Sequence, residues 1–312
     1  MLAGVSTICF AASYAIALGL EISRLWLHGR WRGLATIGVA ATGLAAHTAF
    51  LCHAATSPAA SGAPLSSQRD WFLLAAWGIV VVYLYLAVLH PRWPFGLFLL
   101  PLALALIGTA RFLADSVPLG RVPASRIWGA IHGVSILLAT VAVLLGFVAG
   151  LMYLGQTRHL KRKIVSTRGL RLPSLEWLQR VNFRAIVVAV LMLGAGVFSG
   201  MVLNRINAHA GSLRLPWSDP VVASTWLTFF WLLAAVVLGA VYRPARQGRK
   251  VAYLTLVSFV FLLVMLAAGV LTQSRHWSRA GASGEGRGEQ QAIPSLDAFR
   301  FPIPPPPGGS PC

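Results

Sequence analysis

The chain has 312 residues, of which 57% are hydrophobic and only 11% are charged, and its mean hydropathy is +0.71. A soluble domain carries roughly 25% charged residues, so this composition excludes a water-soluble globular protein. The formal net charge of +18 raises the question of a nucleic-acid partner. We expect no such partner, because the basic residues lie beside apolar runs, where attraction to the anionic lipid of a bilayer explains them.

Apolar runs of about 18 to 27 residues follow one another along the chain, and each is long enough to cross a bilayer as a helix. The eight runs are Val5–Ile22, Leu34–His53, Trp71–Leu89, Pro94–Leu113, Trp128–Leu154, Arg184–Leu203, Val221–Tyr242 and Val251–Leu271. The sequence therefore predicts an all-α, polytopic membrane helix bundle with about eight transmembrane helices. We expect one domain over residues 1–272 and a disordered, Gly-, Ser- and Pro-rich outer tail over residues 273–312.

The distribution of Lys and Arg between the loops predicts the orientation of the chain. The loops that follow the first, third, fifth and seventh runs hold 16 of these residues, and the loops on the other side hold 6. Loops rich in Lys and Arg stay in the cytoplasm, so both termini are expected on the outer side. In the most basic loop, Pro173-Ser174 precedes Leu175, Leu178 and Val181 at helical spacing. This pattern predicts a short interfacial helix that leads into the sixth span.

Histidines are the polar residues of the spans that most need an explanation. No carboxylate falls in the middle of a span, which disfavours a proton- or cation-coupled transporter. His132 lies four residues into the fifth run and His276 follows the eighth, so both belong to the predicted outer boundary. Each could hold a metal through a neutral imidazole or simply bond to water or lipid phosphate. His47 lies deeper, in the second run, where it needs a helix–helix hydrogen bond or a cofactor as its partner.

Several motifs occur together in one order along the chain. They are Ala-Ala-His47-Thr, Trp128-Gly-Ala-Ile-His132, Gly194-Ala-Gly-Val-Phe-Ser-Gly200 and Trp217-Ser-Asp-Pro220. The ordered set resembles the cytochrome c assembly family, which includes the CcsA-like membrane proteins and their HemX and YpjD relatives, and the resemblance covers about residues 5–277. The segment 204–220 has a single tryptophan where the assembly proteins carry several, and residues 232–242 lack the histidine found late in their seventh span. These departures place the chain nearer the HemX and YpjD branch.

The resemblance implies a role in handling heme on the outer face of the inner (cytoplasmic) membrane. By position, His132 and His276 would be axial ligands of a b-type heme in transit, and Trp217 and Asp219 would belong to an outer loop that faces the heme. His47 is a further cofactor-binding candidate to which the resemblance gives no settled role. A ResB/CcsB-like membrane partner and apocytochrome c are implied as partners. The chain is then an assembly factor rather than an enzyme on its own, and the alternative is a HemX-like accessory protein without catalysis.

Overall fold

The computed structural model describes residues 7–23, 30–56, 67–91, 93–114, 126–161, 173–209, 219–241 and 249–271. These parts of the chain form eight helices and no strand. The helices are α1 (Thr7–Ser23), α2 (Arg30–Thr56), α3 (Gln68–Leu89), α4 (Gly96–Phe112), α5 (Arg126–Lys161), α6 (Leu175–His209), α7 (Pro220–Val241) and α8 (Arg249–Leu271). Five contain apolar stretches long enough to cross a membrane, and α1, α4 and part of α8 are shorter apolar helices. The predicted polytopic helix bundle is confirmed, whereas its N-out, C-out orientation stays a prediction.

The helices pack as two groups of four. Within α1–α4, α1 contacts α2 and α4, and α3 contacts α2 and α4; within α5–α8, α5 and α6 form the most extensive contact. The two groups meet mainly where α3 packs against α5. Small residues allow this approach, since a Cβ atom on Gly78 of α3 would lie 3.3 Å from Val141 of α5.

Contacts between α5 and α6 show that these two helices run in opposite directions. Near the start of α5, Ile136 packs on Gly196, close to the end of α6, whereas Gly146 lies beside Asn182 in the first half of α6. We call the end of the bundle where α5 begins and α6 ends the His132 end. Thr255 of α8 donates a hydrogen bond to Asn182 Oδ1 at 2.6 Å. Because Gly146 of α5 lies beside both residues, Thr255, Asn182 and Gly146 are at the same height along the bundle.

Helices α7 and α8 continue the alternation. Gly194 of α6 faces Phe229 and Gly239 faces Phe183, so α7 runs antiparallel to α6. The Trp231 indole donates to Ser258 Oγ at 3.1 Å, joining the middle of α7 to α8. Together with the level of Thr255 beside Asn182, this contact shows that α8 runs in the direction of α6. Its C-terminal end therefore points toward the His132 end.

The sixth span differs from its prediction. The sequence predicts a short interfacial helix that leads into a span beginning at Arg184, and in the structure both belong to one continuous helix from Leu175 to His209. Ser174 begins it, because its hydroxyl accepts a hydrogen bond from the Trp177 backbone N–H at 3.3 Å. No proline follows inside α6, so the amphipathic start and the apolar span merge into one helix. The predicted tail, residues 273–312, lies outside the described residues.

Candidate functional site

His132 lies in the second turn of α5 with a half-buried side chain. Its Nδ1 is 2.7 Å from the backbone carbonyl oxygen of Gly196 on α6. A carbonyl accepts only, so Nδ1–H must be the donor, and the lone pair of a neutral ring is then on Nε2. Metal-ligating histidines are commonly oriented by such a bond from the second ring nitrogen. A metal bound by His132 in this orientation would therefore be held through Nε2.

Two glycines of α6 make room for side chains of α5, one for this imidazole and one for Ile136. Gly196 and Gly200 are four residues apart and occupy one face of α6, opposite His132 and Ile136, which are four residues apart on α5. A Cβ atom at Gly200 would be 3.0 Å from His132 Cε1, and one at Gly196 would be 2.6 Å from Ile136 Cδ1. Small residues at this spacing let membrane helices approach closely. The site thus depends on glycine at both positions.

Aromatic side chains surround the same region. Trp128, one turn before His132, packs edge to face against Phe198 of α6, with ring centroids 6.3 Å apart. Trp71 of α3 lies over Gly133, so that a Cβ atom there would overlap its indole ring. The face of α5 that points away from His132 and Gly133 is apolar and exposed, as expected for lipid contact. It consists of Ile127, Ile131, Val134 and Leu138. His132 is therefore turned toward protein and away from the lipid-facing side.

His47 has a partner within the α1–α4 group. It is fully buried, and its Nδ1 is 3.2 Å from the hydroxyl of Tyr14 on α1. The Phe10 ring stacks on the imidazole at 4.0 Å between centroids, and Gly43 admits Tyr14, since a Cβ there would lie 2.9 Å from Tyr14 Cε1. Of the two open alternatives, the structure shows a helix–helix hydrogen bond at Nδ1. Nε2 is buried and has no hydrogen-bond partner among the described residues, a state that costs about 1–3 kcal/mol.

Replacing Tyr14 by Phe should destabilise the protein by about 1–2 kcal/mol, because both nitrogens of the buried imidazole then lack partners. The double variant Tyr14→Phe/His47→Leu should lose less than the sum of the two single changes. Unfolding in mixed detergent micelles measures this coupling. Tyr85→Phe is the matched control, since Tyr85 is 64% exposed and should be neutral. Additive single changes would show that the Tyr14–His47 bond does not contribute to stability.

Asp219 caps a helix. Its Oδ1 accepts a hydrogen bond from the Val221 backbone N–H at 2.9 Å, and its backbone carbonyl accepts one from Ala223, so it begins α7. The side chain is buried, at 4% exposure. This position explains why an acidic residue precedes Pro220, which occupies the first helical position. Two other predicted site residues, Trp217 and His276, lie outside the described residues, and the ligation of one heme by His132 and His276 stays a prediction.

The family model described as cytochrome C assembly protein matches residues 65–273. The chain belongs to the cytochrome c assembly family. The match is narrower than the predicted range of residues 5–277, since it leaves out α1 and α2 with the His47–Tyr14 pair. It includes α3 through α8, and with them His132, Gly196 and Gly200. The family's cytochrome c assembly role therefore extends to this chain.

Curated relatives agree with this family assignment. The chain is 28% identical over 232 residues to the cytochrome c biogenesis protein CcsA of Parasynechococcus marenigrum (strain WH8102), covering 64% of this chain and 72% of the relative. It is also 28% identical over 229 residues to CcsA of Synechococcus sp. (strain CC9902), with the same two coverages. These CcsA relatives give no support to a placement nearer the HemX and YpjD branch. No solved structure matches the chain.

Proposed function

We propose that this member of the cytochrome c assembly family holds heme on the outer face of the inner membrane and presents it to apocytochrome c. His132 and His276 would be the axial ligands of the iron. The observation that carries the proposal is the hydrogen bond from His132 Nδ1 to the Gly196 carbonyl, 2.7 Å long, because metal-ligating histidines are commonly oriented by such a bond from the second ring nitrogen. Heme held by two imidazoles also needs apolar walls, and Trp128, which packs against Phe198, lies one helical turn from His132.

The register of α8 supports His276 as the second ligand. A Cβ atom on Gly146 of α5 would lie 3.1 Å from Thr255 Cγ2 of α8, so these two residues share one level. From that level, His132 lies roughly 21 Å along α5 and Leu271 roughly 24 Å along α8, at 1.5 Å per residue. Both residues lie on the same side of that level, toward the His132 end. Helix α8 packs on α5 and ends near the level of His132, and His276 follows five residues further along the chain.

The protein's part in this function is to hold and orient its cargo. The two imidazoles would fix the iron, and the apolar surroundings would limit access of water to the porphyrin. Thioether formation requires that each cysteine thiol of a CxxCH motif adds across a heme vinyl group, and this chemistry belongs to heme and apocytochrome. A ResB/CcsB-like membrane protein is the partner we propose for the same step.

The visible spectrum of the purified protein tests this proposal. Protein expressed in a heme-replete host and extracted in mild detergent should show a Soret band together with the visible bands of bis-histidine heme. Its reduced-pyridine spectrum should report a b-type heme, since the vinyl groups are not yet used. A colourless protein that also fails to bind added hemin would contradict the proposal and favour the alternative, an accessory role without heme.

A further inference from the structure

Trp71 lies at the His132 end in an unusual contact. A Cβ atom on Gly133 would overlap Cη2 of this indole and lie 2.6 Å from Cζ2 and 3.3 Å from Cζ3. The ring edge therefore rests directly on the α5 backbone at the residue that follows His132. Because the indole is only half-buried, part of its surface is available to another molecule.

The start of α3 holds this tryptophan in place. Ser67 Oγ accepts a hydrogen bond from the Asp70 backbone N–H, Asp70 Oδ2 accepts one from the Ser67 N–H, and both are 3.2 Å long. This capping box fixes the first turn of α3, and Ser67 and Gln68 are buried at 5% exposure. Trp71 follows the box directly. Its backbone is thus anchored, as binding residues on rigid elements require.

Trp71 and His132 flank the same side of α5. Consecutive helical residues are about 100° apart, so His132 and Gly133, under Trp71, point toward different neighbouring helices. Both lie on the face turned away from the exposed stripe of Ile131 and Val134. Helix α8 packs on this inward side, where Phe147 of α5 stacks on Phe259 at 3.8 Å. The imidazole lies on the α6 side of α5, and the indole lies on its α3 side.

We propose that Trp71 contacts the porphyrin and forms the α3-side wall of the heme-binding cleft. This inference rests on the proposed function, and it adds a residue from the other four-helix group to the site. Porphyrins need flat apolar surface, and the indole ring of tryptophan is among the largest flat apolar groups a side chain provides. The segment before α7 has one tryptophan, Trp217. Trp71, at the start of α3, would therefore add to its aromatic surface. The cleft then spans the α3–α5 contact that joins the two groups.

Hemin titration of the purified protein tests the proposal. Trp71→Leu should raise the Kd for hemin about tenfold or more, while the six-coordinate, low-spin spectrum given by the two histidines is kept. Trp71→Phe should keep most of the affinity for hemin. Trp77→Leu is the matched control on the same helix, because the Trp77 indole donates to Thr48 of α2, within the α1–α4 group. It should bind hemin as the unchanged protein does.

Gly133→Ala gives an independent test, since the new methyl group would displace the indole. It should weaken hemin binding, whereas the double variant Trp71→Leu/Gly133→Ala should match Trp71→Leu alone. Unchanged affinity in Trp71→Leu, together with heme loss in His132→Ala, would overturn the role of Trp71 and leave the proposed function standing. Unchanged binding in His132→Ala would overturn the proposed function and the porphyrin contact with it.

Discussion

Replacing His132 or His276 separately by Ala should remove most of the heme that the protein binds. Each change deletes one of two axial ligands, and a heme held by one imidazole dissociates more readily. His132→Ala should leave the helix bundle intact, because the side chain is half-buried and the α5–α6 contact continues through Ile136 and Gly196. Heme content per protein is measured by the pyridine hemochromogen spectrum after purification.

His90→Ala is the control for these variants. His90 caps the end of α3 and stacks on Trp93, with ring centroids 4.2 Å apart, on the opposite side of the bundle from the start of α5. Its loss should leave heme content unchanged. Equal heme in the His132, His276 and His90 variants would show that neither candidate histidine is a ligand.

Replacing Gly200 by Val should abolish heme binding and destabilise the contact between α5 and α6. Its Cβ atom would lie 3.0 Å from His132 Cε1 and 3.1 Å from Nδ1, so the ring must move and lose its bond to the Gly196 carbonyl. Overpacking of this kind costs about 1–3 kcal/mol. Heme content and unfolding in mixed micelles give the two readouts.

Gly38→Val is the matched control for this change, because nothing lies within 4 Å of a Cβ atom at Gly38. It should alter neither heme content nor stability. A Gly200→Val protein that keeps its heme would show that the His132–Gly196 hydrogen bond does not prepare the ligand. Gly196→Val should be destabilising through Ile136, whose Cδ1 would lie 2.6 Å from the new Cβ atom.

The eight helices were predictable because each span is a long apolar run, which lipid allows only as a helix. Helix ends were less predictable. Helix α5 reaches Lys161, seven residues past the predicted Leu154, since the apolar run stops before the helical hydrogen bonds do. The merging of the amphipathic start of α6 with its span has the same cause. Hydropathy reports contact with lipid, and a helix can continue into water.

The partners in the candidate site were harder to predict than the histidines themselves. His132 and His47 stand out because polar residues in spans are rare. Tyr14, 33 residues before His47, and Gly196, 64 residues after His132, become neighbours only through helix packing. The relative rotation and height of two helices depend on many small contacts, which one-dimensional periodicity does not contain. In the sequence, Trp71 is only a tryptophan at the start of the third apolar run, and its contact with α5 could not be predicted from that position.

The His47–Tyr14 pair lies outside the residues that the family match covers. Helices α1 and α2 therefore carry a buried polar pair that the family assignment does not explain. Among the described residues, His47 Nε2 has no hydrogen-bond partner, and this lowers the stability of the bundle. The close packing of Tyr14 against Gly43 holds the pair in this buried position. The predicted cofactor role of His47 stays a prediction, because the structure shows a hydrogen bond at one nitrogen and packing around the other.

Rescue by imidazole tests the axial ligation by His276 most directly. His276→Gly protein reconstituted with hemin should lack the six-coordinate, low-spin spectrum, because only His132 remains to bind the iron. Added imidazole should restore that spectrum by filling the place of the missing side chain, while His90→Gly protein should show it without imidazole. A six-coordinate, low-spin spectrum in His276→Gly protein before any imidazole is added would contradict the central claim that His132 and His276 share one heme.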